Sequence, residues 1–198
     1  MDKLSYCLEE LREEVRNCRK CPLHASRNRA VFGNGNTGAR IMLIGEAPGA
    51  EEDREGVVFI GKAGKLLDNI LKACNFSREE HVFISNIVKC RPPGNRKPEK
   101  EEMVACLPYL EQQIELIDPV LIVAMGATAL KGMKGGEPKI TKERGSWQYF
   151  GSRLMMPTYH PAALLRNPSM KKPAWEDFKS VVRKYRELVD GGHNCEYV

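Results

Sequence analysis

Four cysteines stand at spacings that would let them bind one metal centre. Cys18 and Cys21 form a C-x2-C pair, and Cys90 and Cys106 form a second, wider pair. A C-x2-C turn can present two thiolates to one ion or to one corner of a cluster. Zinc modules usually carry two close pairs, so the wide pair argues mildly against zinc and leaves room for a bulkier iron–sulfur cluster. A redox-active pair, or cysteines that are only buried apolar side chains, are the alternatives.

A second set of reactive residues follows four short apolar runs. GEAPG (45–49), Asn86, Gly-Ala (126–127) and Tyr-His-Pro (159–161) come directly after these runs. In an open parallel sheet, ligands bind beyond the carboxyl ends of the strands. A carboxylate, an amide and an imidazole should therefore meet at one edge. This pattern predicts a binding or catalytic site there.

The elements that must position these residues follow from hydrophobic patterning. The four runs are 41–44, 82–85, 120–124 and 154–157. They are apolar without alternation, which is typical of strands buried on both faces of a parallel sheet. Amphipathic helices are predicted at 4–15, 65–74, 99–116 (broken or restarted at Pro108) and 175–189. Alternating strands and helices predict an α/β fold. We expect a single domain over residues 1–198 with a flexible tail at about 191–198.

Composition limits the class of protein. The net charge of +5 is compatible with a polyanionic partner but does not establish one. The first fifteen residues are charged throughout and lack the apolar core of a signal peptide. The most apolar stretch, 120–130, is too short to cross a bilayer. We therefore expect an intracellular (cytoplasmic) protein without a membrane segment, whose seven cysteines are reduced, metal-bound or catalytic rather than disulfide-bonded.

One motif is misleading. GVVFIGKA (56–63) is close to a phosphate-binding Walker A loop. However, Ala63 stands where Ser or Thr must hold magnesium, and the bulky VVFI spacer is poorly suited to wrap backbone amides around phosphates. We interpret the segment as a loop that presents Phe59, followed by a helix that opens at 61–64.

Five motifs and the cysteine set together resemble a known family. The motifs are GEAPGAEED (45–53), VVFIGKAG (57–64), SNIVKCRPPGNRKP (85–98), ITKERG (140–145) and YHPAALLRNP (159–168). In this order they closely resemble the family-4 uracil-DNA glycosylases, the thermostable iron–sulfur type. The resemblance covers about residues 18–184, almost the whole chain.

The resemblance implies a fold, an activity and a cofactor. The fold is a three-layer αβα sandwich around a four-stranded parallel sheet. The activity is flipping of uracil out of DNA and hydrolysis of its N-glycosidic bond, which leaves an abasic site for base-excision repair. The cofactor is a 4Fe–4S cluster with a structural role, held by Cys18, Cys21, Cys90 and Cys106.

The resemblance also assigns site residues. Phe59 stacks on uracil, and Asn86 accepts from N3–H and donates to O4. His160 stabilises the negative charge that develops on O2. Ala47 and Pro48 line the pocket with backbone.

The residue that positions the attacking water does not follow directly from the motif. In the related family-1 motif GQDPYH an Asp holds the water, but Ala47 occupies that position here. Glu46 is then the expected catalytic carboxylate and a further uracil contact, with Glu52 and Asp53 as rivals. The aromatic residue of that motif that excludes thymine is replaced by Gly49. We hypothesise that Glu52 folds back to fill the space.

Contacts to DNA are expected from two segments. Arg91, Arg96 and Lys97 lie in a basic loop suited to backbone phosphates, although an ordinary solvated loop would look the same. Leu164, Leu165 and Arg166 follow His160 and are wedge candidates for the minor groove. The alternative is a short helix that packs its leucines inward.

Two other functions compete with this interpretation. A relative that binds uracil-DNA covalently uses an extra His in an inserted loop, and 140–145 contains no His. A non-enzymatic zinc or iron–sulfur DNA-binding module would not need Glu46, Asn86 and His160 at strand ends. We therefore expect a monomeric enzyme that acts on uracil in single- or double-stranded DNA.

Overall fold

The computed structural model describes residues 3–198, so Met1 and Asp2 of the predicted domain lie outside it. In this range the strands are β1 (Asn34–Gly35), β2 (Ile41–Gly45), β3 (Val82–Asn86), β4 (Leu121–Met125), β5 (Gln148–Phe150) and β6 (Arg153–Thr158). The α-helices are α1 (Lys3–Asn17), α2 (Ala50–Glu55), α3 (Lys62–Ala73), α4 (Lys100–Ile117), α5 (Ala127–Lys134), α6 (Ile140–Glu143), α7 (Pro161–Arg166) and α8 (Lys171–Leu188). Each of these helices is too short or too polar to span a lipid bilayer.

The strands form one mixed sheet in the order β1-β3-β2-β4-β6-β5. The four predicted strands are its parallel centre, β3-β2-β4-β6. The expected four-stranded parallel sheet is incomplete, because β1 and β5 add antiparallel edges. These edge strands have two and three residues and are half-buried or exposed. They leave no apolar run in the sequence, which is why the pattern did not predict them.

Helices cover both faces of the sheet. Met42 and Ile44 of β2 belong to the core that also includes residues of α1, α4 and α5. Ile41 and Leu43 point to the opposite face, where α3 and α8 pack. All five residues of β2 are buried, as are those of β3 and β4. Burial on both sides explains why these strands lack polar alternation.

The long helix α4 corrects one prediction. It continues unbroken through Pro108 instead of ending or restarting there. A proline in a helix deprives the carbonyl four residues earlier of its N–H partner. That residue is Val104, which is 62% exposed, so water can solvate the freed carbonyl. The helix therefore tolerates proline on its solvent-facing side.

The C-terminal segment is packed rather than flexible. Arg186 of α8 donates hydrogen bonds to the backbone oxygens of His193, Cys195 and Val198. His193 is buried, and its ring stacks on Phe76 with centroids 4.6 Å apart. Residues 191–198, expected to be a flexible tail, thus contact α8 and Phe76 in this structure. Sequence composition gave no sign that α8 would bind these carbonyls.

Candidate functional site

The parallel register brings the expected polar residues to one edge of the sheet. Gly45, the last residue of β2, lies opposite Asn86, the last residue of β3. Asn86 is 2% exposed, and its Oδ1 has no hydrogen-bond partner among the described residues. A Cβ at position 45 would lie 2.4 Å from that oxygen, so only glycine fits beside it. A buried acceptor in this state is suited to a donor supplied by a ligand.

Phe59 forms an apolar wall next to this acceptor. It is 5% exposed and has a φ of 53°, an unusual backbone conformation for a bulky residue. Arg78 stabilises this conformation by donating to the carbonyls of Val58 and Phe59, at 2.9 and 2.6 Å. The Phe59 ring edge would lie 2.7 Å from a Cβ on Gly45. Phe59 and Asn86 therefore share the space that Gly45 leaves open.

His160 completes the group. Its ring centroid lies 5.4 Å from that of Phe59. Its Nδ1 accepts a hydrogen bond from the Ala162 N–H at 3.1 Å. This bond caps the N-terminus of α7. Burial, with a smaller effect of Arg166, lowers the pKa of His160 to about 4, while Glu52 opposes the shift. The neutral ring with Nδ1 as acceptor carries its proton on Nε2, so it can donate one hydrogen bond into the site.

The backbone before His160 is held closely on both sides. Gly126, at the start of α5, has a φ of 95°, and a Cβ there would lie 2.9 Å from the Cβ of His160. On the other side, Asp177 accepts from the Thr158 hydroxyl at 2.7 Å and is ion-paired with Arg144. Burial raises the pKa of Asp177, and the Thr158 and Arg144 contacts oppose that rise. These contacts fix the end of β6, from which His160 projects.

The turn after β2 supplies a carboxylate and backbone. The Glu46 side chain is half-buried and has no hydrogen-bond partner within the described chain, so its carboxylate is available. The Glu46 carbonyl accepts from the Val88 N–H at 3.2 Å, which ties the turn to the residues after β3. Pro48 is buried and has no N–H, and the Gly49 N–H is donated to Glu52. Of residues 47–49, Ala47 is thus the possible donor to a ligand.

The two rival carboxylates are already occupied. Glu52 accepts from the N–H groups of Ile60, Gly61 and Gly49 at 2.9 to 3.1 Å. It therefore folds back over Gly49 and joins α2 to the Phe59 loop. Asp53 is fully buried and accepts from the backbone N–H and the side chain of Asn28. Neither carboxylate is as free as Glu46 to hold a water molecule.

The four expected metal ligands surround a separate cavity. Cys18, Cys21, Cys90 and Cys106 all line it. They come from the end of α1, the turn after it, the loop after β3, and α4. Val15, Ala105 and Tyr109 add apolar surface to its walls. Residues distant in sequence thus bring four cysteines around one cavity.

The four cysteines do not meet as the ligands of a single metal ion. Within residues 3–198, no three His, Cys, Asp or Glu side chains are grouped as a single-ion site requires. Tetrahedral zinc with bonds of about 2.3 Å would need its sulfurs roughly 3.8 Å apart. Four thiols around one cavity are the donor set that an iron–sulfur cluster uses.

The sulfurs lie among positive and polar groups. The Arg27 guanidinium donates to Cys90 Sγ at 2.9 Å, and the Lys89 backbone N–H donates to Cys106 Sγ at 3.3 Å. Burial raises the pKa of Cys90 to about 11, although Arg27 opposes the shift. Binding of a metal centre must therefore displace protons from buried thiols.

The basic loop after Cys90 is more structural than expected. Arg96 makes a two-pronged ion pair with the buried Glu102 at 2.6 and 2.8 Å. Arg91 donates to Asn95 Oδ1 at 2.7 Å. Lys97 is exposed, and its ammonium has no ion-pair partner within the described chain. Arg96 therefore fastens the loop to α4, whereas the exposed Lys97 ammonium is available to an external partner.

The wedge candidates on α7 differ in exposure. Leu164 is 2% exposed and lies on the same helix face as the buried Pro161. Leu165 is 45% exposed, and Arg166 is exposed beside it. The Leu164 side chain therefore lies in the protein interior in this structure. Leu165 and Arg166 stay available.

Comparison with known proteins agrees with this geometry. The family model "Uracil DNA glycosylase superfamily" matches residues 32–179. A type-4 uracil-DNA glycosylase of Sulfurisphaera tokodaii is 48% identical over 92% of this chain and 84% of its own length. The chain belongs to the type-4 uracil-DNA glycosylase family. Another type-4 member, from Saccharolobus solfataricus, is 47% identical over 88% of this chain and 84% of its own length. A type-5 uracil-DNA glycosylase of Thermus thermophilus is 31% identical, with 81% of both chains covered.

In this type-4 chain, three residues that support the site were not predicted. Arg78 holds the Phe59 loop, Asp177 holds the end of β6, and Lys89 lies buried beneath Asn86. The first two come from segments remote in sequence, so no local pattern indicates them. Lys89 did leave a signal, since it interrupts the apolar stretch between Ile87 and Cys90.

Proposed function

We propose that this chain removes uracil from DNA by hydrolysis of the N-glycosidic bond and leaves an abasic site for base-excision repair. Membership of the type-4 family supports this activity. The observation that carries it is the buried, unpartnered Oδ1 of Asn86 beside the Phe59 ring. A flat apolar wall and one oriented acceptor are what a flipped pyrimidine with an N3–H requires.

Recognition of the base follows from the Asn86 amide. Its Oδ1 accepts from uracil N3–H and its Nδ2 donates to O4, while Phe59 stacks on the ring. Cytosine presents an acceptor at N3 and a donor at C4. In the same pocket it would leave both amide groups unpaired, at a cost of about 1–3 kcal/mol for each buried group. The fixed amide orientation thus rejects cytosine.

His160 supports bond cleavage. When the bond between N1 and C1′ breaks, uracil leaves with the electron pair, and negative charge develops on O2. The neutral imidazole can donate Nε2–H to that oxygen, because its Nδ1 already accepts from Ala162. The Ala47 N–H has no acceptor within the described chain and is proposed as a second donor to the leaving base. Donors placed in advance stabilise this charge without reorganisation.

Glu46 is proposed to position the attacking water. Its carboxylate is free, whereas those of Glu52 and Asp53 are bound by backbone N–H groups. The water oxygen forms the new bond to C1′, and Glu46 takes the proton that it releases. The products are free uracil and an abasic sugar.

The cysteine-lined cavity is proposed to hold a 4Fe–4S cluster on Cys18, Cys21, Cys90 and Cys106. Such a cluster supplies four metal–thiolate bonds that crosslink α1, the loop after β3 and α4. Glycosidic hydrolysis needs no electron transfer, so the proposed role is structural. The family name and the four cysteines around one cavity support this assignment.

DNA would approach the edge that carries Asn86 and His160. Lys97 and Arg91 are proposed to meet backbone phosphates, and Leu165 and Arg166 to enter the minor groove. The enzyme is proposed to act as a monomer, inside the cell where its DNA substrate lies, on single- or double-stranded DNA.

A single-uracil oligonucleotide tests the activity. Metal-loaded protein should yield an abasic site that alkali converts to a nick, and matched oligonucleotides with cytosine or thymine should stay intact. Absence of the nick with the intact, loaded protein would contradict the enzyme proposal. A protein–DNA adduct stable in SDS would instead favour the covalent relative.

A further inference from the structure

Lys89 carries a side-chain ammonium group in the protein interior. The residue is 1% exposed. Its Nζ donates to Ser85 Oγ at 2.6 Å, Gln113 Oε1 at 2.7 Å and the backbone oxygen of Asn86 at 2.8 Å. All three ammonium protons therefore have acceptors. One acceptor belongs to the residue proposed to recognise uracil.

The partners of Lys89 are themselves fixed. Gln113 Nε2 donates to the Phe32 carbonyl at 2.8 Å, and the Ser85 hydroxyl lies within hydrogen-bond distance of the same carbonyl and of Gln113. Ser85 and Gln113 are fully buried. A buried network with every member satisfied has one low-energy arrangement, so it holds the end of β3 rigidly.

The same residue also reaches the cysteine cavity. Lys89 lines that cavity, and its backbone N–H donates to Cys106 Sγ at 3.3 Å. Its chain neighbour is Cys90. One residue thus contacts both the sulfur-lined cavity and the backbone of Asn86.

We propose that Lys89 is a positioning residue for uracil recognition, which holds Asn86 so that its Oδ1 faces the base and links this orientation to the cysteine cavity. The inference rests on the proposed function. Asn86 Oδ1 has no hydrogen-bond partner within the described chain, so the hydrogen bond from Lys89 to the Asn86 backbone and the packing beside Gly45 and Phe59 hold it in place.

A double-mutant cycle between Lys89→Met and Asn86→Ala tests this. Single-turnover excision is measured for the two single variants, the double variant and wild type, each with its visible cluster absorption checked. Lys89→Met should slow excision about 100-fold, the loss expected from a small misplacement of a binding group. In the Asn86→Ala background the same change should cost less than about threefold. KM for DNA should change little, since the phosphate contacts are untouched.

Equal losses in both backgrounds would overturn the proposal, because Lys89 would then act independently of Asn86. Lys72→Met, on the exposed side of α3, is the matched control and should excise at the wild-type rate. If Lys89→Met fails to fold or to load, Ser85→Ala takes its place in the cycle with the same criterion. The wild-type protein in the same assay distinguishes a failure of the proposed function from a failure of the Lys89 proposal. No excision by the wild type contradicts the proposed function. An active wild type with equal losses in both backgrounds contradicts only the role of Lys89.

Discussion

Asn86 Oδ1 fills the space that a side chain on Gly45 would need, since a Cβ there would lie 2.4 Å from it. Gly45→Ala must therefore displace Asn86 or Phe59, whose ring edge is 2.7 Å from the same point. We expect a loss in kcat/KM of about 100-fold, as for a misplaced binding group. Steady-state excision of uracil measures it.

Gly38→Ala is the control for this change. A Cβ at position 38 meets only Asn36 Oδ1, at an ordinary 3.5 Å. This variant should keep wild-type kcat/KM. Full activity of Gly45→Ala would show that the amide does not need its observed position.

The pH dependence should reflect a neutral His160. Because burial lowers its pKa to about 4, the ring stays uncharged through the range in which an ordinary histidine takes up a proton. Single-turnover excision should then show no acidic limb near pH 6.5 from this residue. A limb at pH 6.5 that disappears in His160→Asn would contradict the neutral-donor role.

The lowered pKa of His160 should also make the free energy of unfolding depend on pH. The folded pKa of His160 lies below the unfolded value, so the unfolded chain binds more protons as pH falls from about 6.5 to 4. The free energy of unfolding should decrease over that window. His160→Asn should make the decrease smaller, as urea denaturation at several pH values would reveal.

Substitutions of Glu46 and Glu52 should affect different properties of the enzyme. Glu46→Gln keeps the shape but removes the proposed base, so kcat should fall about 100- to 10,000-fold with little change in Tm. Glu52→Ala removes the acceptor of three backbone N–H groups, so it should lower Tm and admit thymine. Rates on uracil and thymine oligonucleotides measure both effects. Intact thymine rejection in Glu52→Ala would refute its role in excluding the methyl group.

Neighbouring leucines on α7 provide another contrast. Leu165→Ala should slow excision from double-stranded DNA more than from single-stranded DNA, because a wedge matters only when a base must leave the stack. Leu164→Ala should instead destabilise the fold by about 3 kcal/mol, as expected for a truncated core leucine. Equal rates of Leu165→Ala on both substrates would argue against a wedge.

The cysteines can be separated by substitution. Cys90→Ser should abolish the visible absorption of the protein and lower its Tm, since one thiolate ligand is lost. Cys7→Ser, outside the cavity, should leave both unchanged. Stoichiometric zinc in protein purified without oxygen would refute the cluster.

The sequence predicted the parts of the fold that rest on hydrophobic pattern. The buried strands β2, β3, β4 and β6 were found because both their faces are covered, which removes polar alternation. The strand-end rule then predicted the meeting of Asn86 and His160 at one edge. The short strands β1 and β5 carry no such pattern.

The local sequence does not predict features that depend on packing between distant elements. Leu164 and Leu165 are adjacent and chemically identical, and only the orientation of α7 makes one buried and the other exposed. Arg96 looked like a free phosphate contact, but the buried Glu102 on α4 holds it. The role of Lys89 does not follow from the local sequence, because its third acceptor, Gln113, comes from the distant helix α4.

The position of the sulfur ligands along the chain sets an order of events during synthesis. All four proposed cysteine ligands lie within the first 106 residues, whereas His160 follows the last parallel strand. A ribosome adds about 5–20 residues each second, so the ligands emerge seconds before the imidazole. Delivery of a metal centre can therefore begin on the nascent chain, before the catalytic edge exists.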